Sequence, residues 1–142
     1  MGLDTQDHGT LALWAADCAE HVLPHFEDTH PGDNRPRQAI QAGRAWAAGD
    51  LAMVEARRFA FAAHAAAREA EDAAAVAAAR AAGHAAATAH VPTHAQAAAT
   101  YARKAVAAAD RADAPSGRER EWQQRRLPDR LWPLAFSSGP AQ

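Results

Sequence analysis

The sequence predicts an all-α fold, an Ala-rich antiparallel helical bundle of five main helices plus a C-terminal capping helix and an apolar tail. Three observations lead there. Of 142 residues, 43 are Ala, the strongest helix former, whereas only 26 are larger apolar residues. The β-branched and aromatic side chains that strands favour are scarce, with five Val, one Ile and nine aromatics. Apolar positions recur at spacings of three and four, and Pro, Gly and capping residues interrupt them at helix-length intervals. One domain fills the chain: a flexible N-terminus over 1–9, the bundle over 10–113, and a C-terminal helix with its tail over 114–142.

The first helix is expected from Thr10 as N-cap to about Leu23, with Leu11, Trp14, Ala15, Cys18, Ala19 and Val22 on its apolar face. Pro24 forbids its continuation, and the Pro, Gly, Asp and His residues up to Asn34 read as a connector. A second helix begins after Asp33 or Asn34 with Pro36 in its first turn. It buries Ala39, Ile40, Gly43, Trp46 and Ala47 and ends at Gly49. Asp50 then caps a third, running through Leu51, Val54, Phe61 and Ala65 to about Glu69. A fourth spans roughly Asp72 to His90, broken at Val91 and Pro92, and Thr93 caps a fifth to about Asp110. Ala114 to Gly117 reads as a linker, after which Ser116 or Gly117 opens a sixth helix carrying Trp122 and stopped by Pro128. Leu127, Leu131, Trp132, Leu134 and Phe136 form an apolar tail that either caps the bundle or joins two copies as a homodimer, capping being the preferred reading.

Several function classes fall away. Fifteen Lys and Arg against seventeen Asp and Glu leave a net charge of −2, so no global field draws the chain to nucleic acid or anionic lipid. The arginines from Arg118 to Arg126 are interleaved with Glu119 and Glu121, a solvated mixed-charge helix. No apolar run is long enough to span a membrane, and no secretory signal or myristoylation pattern opens the chain. Together with a lone Cys18, read as a small buried hydrophobe, this points to the reducing cytoplasm. Nucleophile-elbow, phosphate-loop and dinucleotide signatures are all missing, so no catalytic motif and no cofactor are expected.

Histidine is the one over-represented reactive residue, at eight copies. His90 and His94 have i, i+4 spacing, but Pro92 and Thr93 lie between them, so a shared helical face is not expected; convergence across the turn on a zinc ion, with His64 or His84 as third ligand, is the lesser alternative. Helix-end histidines are the plainer reading. A closer grouping of Asp17, His21 and His25 is broken by Pro24. Arg58 falls on the stripe of Val54, Phe61 and Ala65, which would bury a guanidinium. Compensation is expected either from Asp17 or Glu55 in an ion pair, or from a ligand carboxylate or phosphate in a pocket. His64 and Tyr101 are candidate pocket liners on the same grounds, with a hydrogen-bonded core role as the alternative.

The segments LALWAADCAEHVLPHFE (11–27), NRPRQAIQAGRAWAAGD (34–50) and AAGHAAATAHVPTHAQAAATYARKAV (81–106) resemble a family of bacterial all-α "putative immunity proteins" from polymorphic toxin systems, in an actinomycete branch. The RPR-x-AI-x-A-x-R-x-W block is the most specific of these. The resemblance implies a helical bundle that neutralises a cognate toxin protein by non-covalent binding, through polar positions that here are Asp17, Arg35, Arg37, Arg44, Arg58 and the turn from His90 to His94. Arg35 and Arg37 stand at a helix start, against its dipole, and require carboxylates nearby, in this chain or on a partner. The alternative is a small-molecule-binding or enzymatic bundle in a biosynthetic pathway, with Arg58, His64, His90 and Tyr101 lining a cavity between helices.

Overall fold

A computed structural model describes residues 3–110 and 115–136. The described elements are α1 (Thr5–Val22), α2 (Pro24–Glu27), α3 (Arg35–Ala47), α4 (Met53–Glu69), α5 (Ala73–Ala87), α6 (His94–Asp110), α7 (Pro115–Arg125), a 3-10 turn (Asp129–Leu131) and α8 (Trp132–Ala135), with no strand among these residues. The all-α class holds. The element count is larger than predicted, because α2, the 3-10 turn and α8 join the five long helices and α7.

Helix α5 is the centre of the molecule. It packs on its sequence neighbours α4 and α6 and also on α1, α2 and α3. Its composition explains this: Ala74, Ala75, Ala77, Ala78, Ala79, Ala81 and others around the whole circumference are buried, and a helix that is apolar all round belongs inside. Small side chains let neighbouring axes come close on every side. Asp72 starts α5 by accepting a hydrogen bond from the Ala75 amide at 3.0 Å. Gly43 of α3 faces it so closely that a Cβ there would lie 3.1 Å from the Ala85 carbonyl oxygen. Only Val76, Arg80, His84 and Ala87 of the helix interior reach partial exposure, and their spacing makes one narrow stripe.

Bulk is concentrated away from that centre. Leu11, Trp14, Val22, Leu23, Phe26 and Ile40 of the N-terminal part of the chain are buried, and Leu127, Leu131 and Phe136 arrive from the C-terminus. Burial of each such side chain contributes about 1.5–3 kcal/mol. Trp14 meets Phe136 edge to face at 5.5 Å and donates its indole N–H to the Gln123 carbonyl at 2.8 Å. Gln123, itself buried, donates to the Ala99 carbonyl at 3.0 Å and accepts from Arg103 at 2.8 Å. Cys18 is fully buried nearby, and that burial pushes its thiol pKa up. The tail therefore docks on this chain's own core, although Leu134 stays exposed and Trp132 is half-buried.

Several boundaries differ from expectation for identifiable reasons. Helix α1 starts at Thr5, because Asp4 supplies the cap by accepting from the Asp7 amide at 2.7 Å; Thr10 is inside the helix, its hydroxyl donating to the Gln6 carbonyl. The added turn is held by His8, which bonds the Thr88 carbonyl at 2.6 Å and lies 4.5 Å from the half-buried Trp46. Pro24 does not begin a loop. It occupies the first position of α2, where its missing N–H costs nothing. Gly49, at φ 85°, closes α3 as predicted, but Ala52 precedes α4 in the capping position and Asp50 does not. Residues 115–117, read as linker, are helical, while Ala114 lies outside the described residues.

The largest correction concerns α4. Its buried face is Ala56, Ala60, Ala63, Ala66 and Ala67, whereas Val54 and Phe61 are 55% and 61% exposed. Both readings are amphipathic; the methyl-only face is the one that can approach an Ala-lined α5. Arg58 consequently points to solvent, its side chain 75% exposed and 3.9 Å from Glu55. It needs no buried partner.

Candidate functional site

Three consecutive elements bring histidines together where α4, α5 and α6 meet. His64 is on α4, His84 is on the stripe of α5 that also carries Arg80, and His94 is the first residue of α6. His90 lies in the intervening turn. Gly83 makes this convergence possible, since a Cβ there would lie 2.7 Å from the His64 ring.

Arg80 Nη1 and His64 Nδ1 are 2.9 Å apart. A guanidinium can only donate, so Nδ1 of His64 is the acceptor and its proton resides on Nε2. His84 and His94 share a hydrogen bond between their Nδ1 atoms at 2.9 Å, one ring donating and the other accepting. His64 meets His84 edge-on at 4.8 Å, and His84 stacks on Tyr101 at 5.3 Å. Burial pushes the pKa values of His64 and His84 down to about 4, with Arg80 and the neighbouring histidines adding to the effect. Burial lowers His94 as well, helped by His90. At neutral pH these three rings are uncharged.

A cavity of about 210 Å³ opens over this cluster, walled by Arg57, Phe61, His64, His90 and His94 with alanine methyls between them. The Arg57 guanidinium lies 5.6 Å from the Phe61 ring centroid. Among the described residues, no carboxylate lines the cavity. Tyr101, on the far side of His84, borders a separate, shallower groove with Thr93, Gln96 and Thr100. Among the described residues, no group of three or more His, Cys, Asp or Glu is arranged to hold a metal ion, and no helix is long and apolar enough to cross a membrane.

The remaining sequence candidates lie elsewhere and are engaged within the chain. Arg35 pairs with Asp33 at 2.7 Å and Glu69 at 2.7 Å, tying the start of α3 to the end of α4. Arg37 makes a two-pronged contact with Glu27 of α2 at 2.8 and 2.6 Å. Arg44 bridges Asp17 and Glu20 of α1 at 2.8 and 2.7 Å. The carboxylates that Arg35 and Arg37 required are thus in this chain, and the specific RPR-x-AI-x-A-x-R block carries the struts of α3. Sequence reading missed Arg57 and Arg80, and raised His84 only as an alternative third metal ligand. The signal for the last two was present as the i, i+4 polar interruption of an otherwise alanine helix; Arg57, four residues before Phe61, was obscured by the wrong phase of α4.

Fold and site together define a small all-helical domain with an alanine core and a surface cavity lined by three histidines and one arginine. The family model described as "Imm-5 like putative immunity protein" matches residues 1–130, and the chain belongs to that family. The match extends past Val106, where the sequence resemblance stopped, through α7 and into the 3-10 turn. No curated protein and no solved structure matches the chain.

Proposed function

We propose that this chain is an immunity-type protein of a toxin–antitoxin pair that neutralises a cognate bacterial toxin in the cytoplasm by binding it non-covalently, within an actinomycete branch of its family. Family membership over residues 1–130 carries the reading. The outer face of α4 supports it, because Val54, Phe61 and Arg58 are exposed there in one stripe and interface centres are enriched in aromatic residues and Arg. The test is co-expression with the product of the adjacent toxin gene: rescue of growth and recovery of a stable complex are expected. Failure of both rescue and complex formation would end the proposal.

A second reading rests on the cavity itself. His64 and His90 both line it and Tyr101 stands one ring away, which favours a small-molecule or enzymatic role more than scattered side chains would. Arg58 has no part in that reading. Saturable binding or turnover of a small ligand, in a variant series that leaves toxin rescue intact, would select it.

A further inference from the structure

We infer that the cavity between α4 and the head of α6 is a carboxylate site, taking an acid group carried on a short apolar stem. This goes beyond the immunity reading and does not depend on it. Charge is the first argument. Among the described residues, Arg35, Arg37, Arg44 and Arg130 are each held by a carboxylate of this chain at 2.8 Å or less; Arg57 makes no such pair, and of the arginines without one it is the one that lines this cavity, lying against Phe61. The planar fork of a guanidinium suits two carboxylate oxygens. Glu55, which lies 3.9 Å from Arg58, does not line the cavity.

Donors are the second argument. Arg80 holds the His64 proton on Nε2, so that ring presents an N–H and not a lone pair to whatever approaches its outer nitrogen. His90 and His94 add two more imidazoles to the wall, and none of the described lining groups is anionic. Shape is the third. At about 210 Å³ the cavity is smaller than the usual range for drug-sized ligands, about 300–1,000 Å³, and is suited to a single acid group with a few carbons. Phe61 and the alanine methyls form an apolar wall beside the cation, which fits a stem. A phosphate, with three oxygens and about two charges, would present polar oxygen to that wall and find one guanidinium.

Two sources carry this chemistry: an Asp or Glu flanked by apolar residues on a partner protein, or a free small organic acid. Histidine ring NMR of the full chain distinguishes them. The probes are phenylacetate, its neutral isostere phenylacetamide, acetate, and a capped pentapeptide with Asp between leucines alongside its Asn counterpart. Each is titrated to about 20 mM, a range that saturates millimolar sites. Saturable shifts of His64, His90 and His94 are expected with phenylacetate and the Asp peptide, and at least about tenfold weaker responses with the amide, acetate and the Asn peptide. Arg57→Ala weakens the binding by about tenfold or more, whereas Arg125→Ala, on the exposed end of α7 and not among the lining residues, leaves it unchanged. Tighter binding of the peptide assigns the site to a partner's side chain; tighter binding of phenylacetate assigns it to a free acid. Equal response to acid and amide, or no saturable shift with any probe, overturns the inference. Because no toxin enters the experiment, its outcome is independent of growth rescue.

Discussion

His64 and His84 make stability depend on pH in a direction that can be worked out. Their folded pKa values, about 4, lie below the ordinary value of 6.5. Between those two values the unfolded chain binds more protons than the folded one, so stability rises with pH across the window. The contribution is complete above about pH 6.5 and is lost as pH falls towards 4. Solvent screening at half-buried rings reduces the effect to about 1–2 kcal/mol in all. Thermal melts from pH 7 to 4 should show the decline, and His84→Gln should flatten it; a parallel decline in the variant contradicts this origin. Phe61 belongs to the same scale. Its ring is largely exposed, so Phe61→Ala should leave Tm within about 1 °C and, under the proposed immunity role, weaken binding to the cognate toxin by about 2 kcal/mol, measured by calorimetry.

At the scale of elements, the fit of α5 against its neighbours sets the tolerance to change. Gly83→Ala gains about 1 kcal/mol of helix propensity, but its methyl would meet the His64 ring at 2.7 Å. Overpacking of about 1–3 kcal/mol exceeds that gain, so the variant should melt lower, and His64 should lose its Arg80 bond and titrate nearer its ordinary value. A higher Tm with an unchanged His64 titration would contradict that packing. This tightness also explains what could be read in advance. Long helices, the Gly49 stop and the breaks at Pro92 follow from local chemistry and were legible. The phase of α4 was not, because hydrophobicity favours turning Val54 and Phe61 inward while an alanine partner helix favours Ala56, Ala60 and Ala63; the choice is made by the neighbour, 10 or more residues away in the chain. His64 and the His90–His94 turn were legible as candidates, but their meeting with His84 and Arg80 depends on three helices packing at once.

For the molecule as a whole, the C-terminal segment acts as a clasp between distant parts of the chain. Gln123 links α7 to α1 through Trp14 and to α6 through Ala99 and Arg103. Only the last two of those bonds use its side chain. Gln123→Ala should therefore cost about 1–3 kcal/mol by leaving buried partners unsatisfied, read as a lower urea midpoint with an unchanged m-value. Arg130 adds a second link, gripping Asp7 of α1 at 3.0 and 2.8 Å. The single thiol, Cys18, sits beneath this clasp with no disulfide partner in the sequence. It is in effect an internal clock for opening: a thiol reagent reaches it only when the C-terminal segment lifts or the bundle unfolds. Its labelling rate in native buffer should rise in Gln123→Ala and stay unchanged in Arg58→Ala, so that the closure of the clasp can be timed without any added probe on the protein.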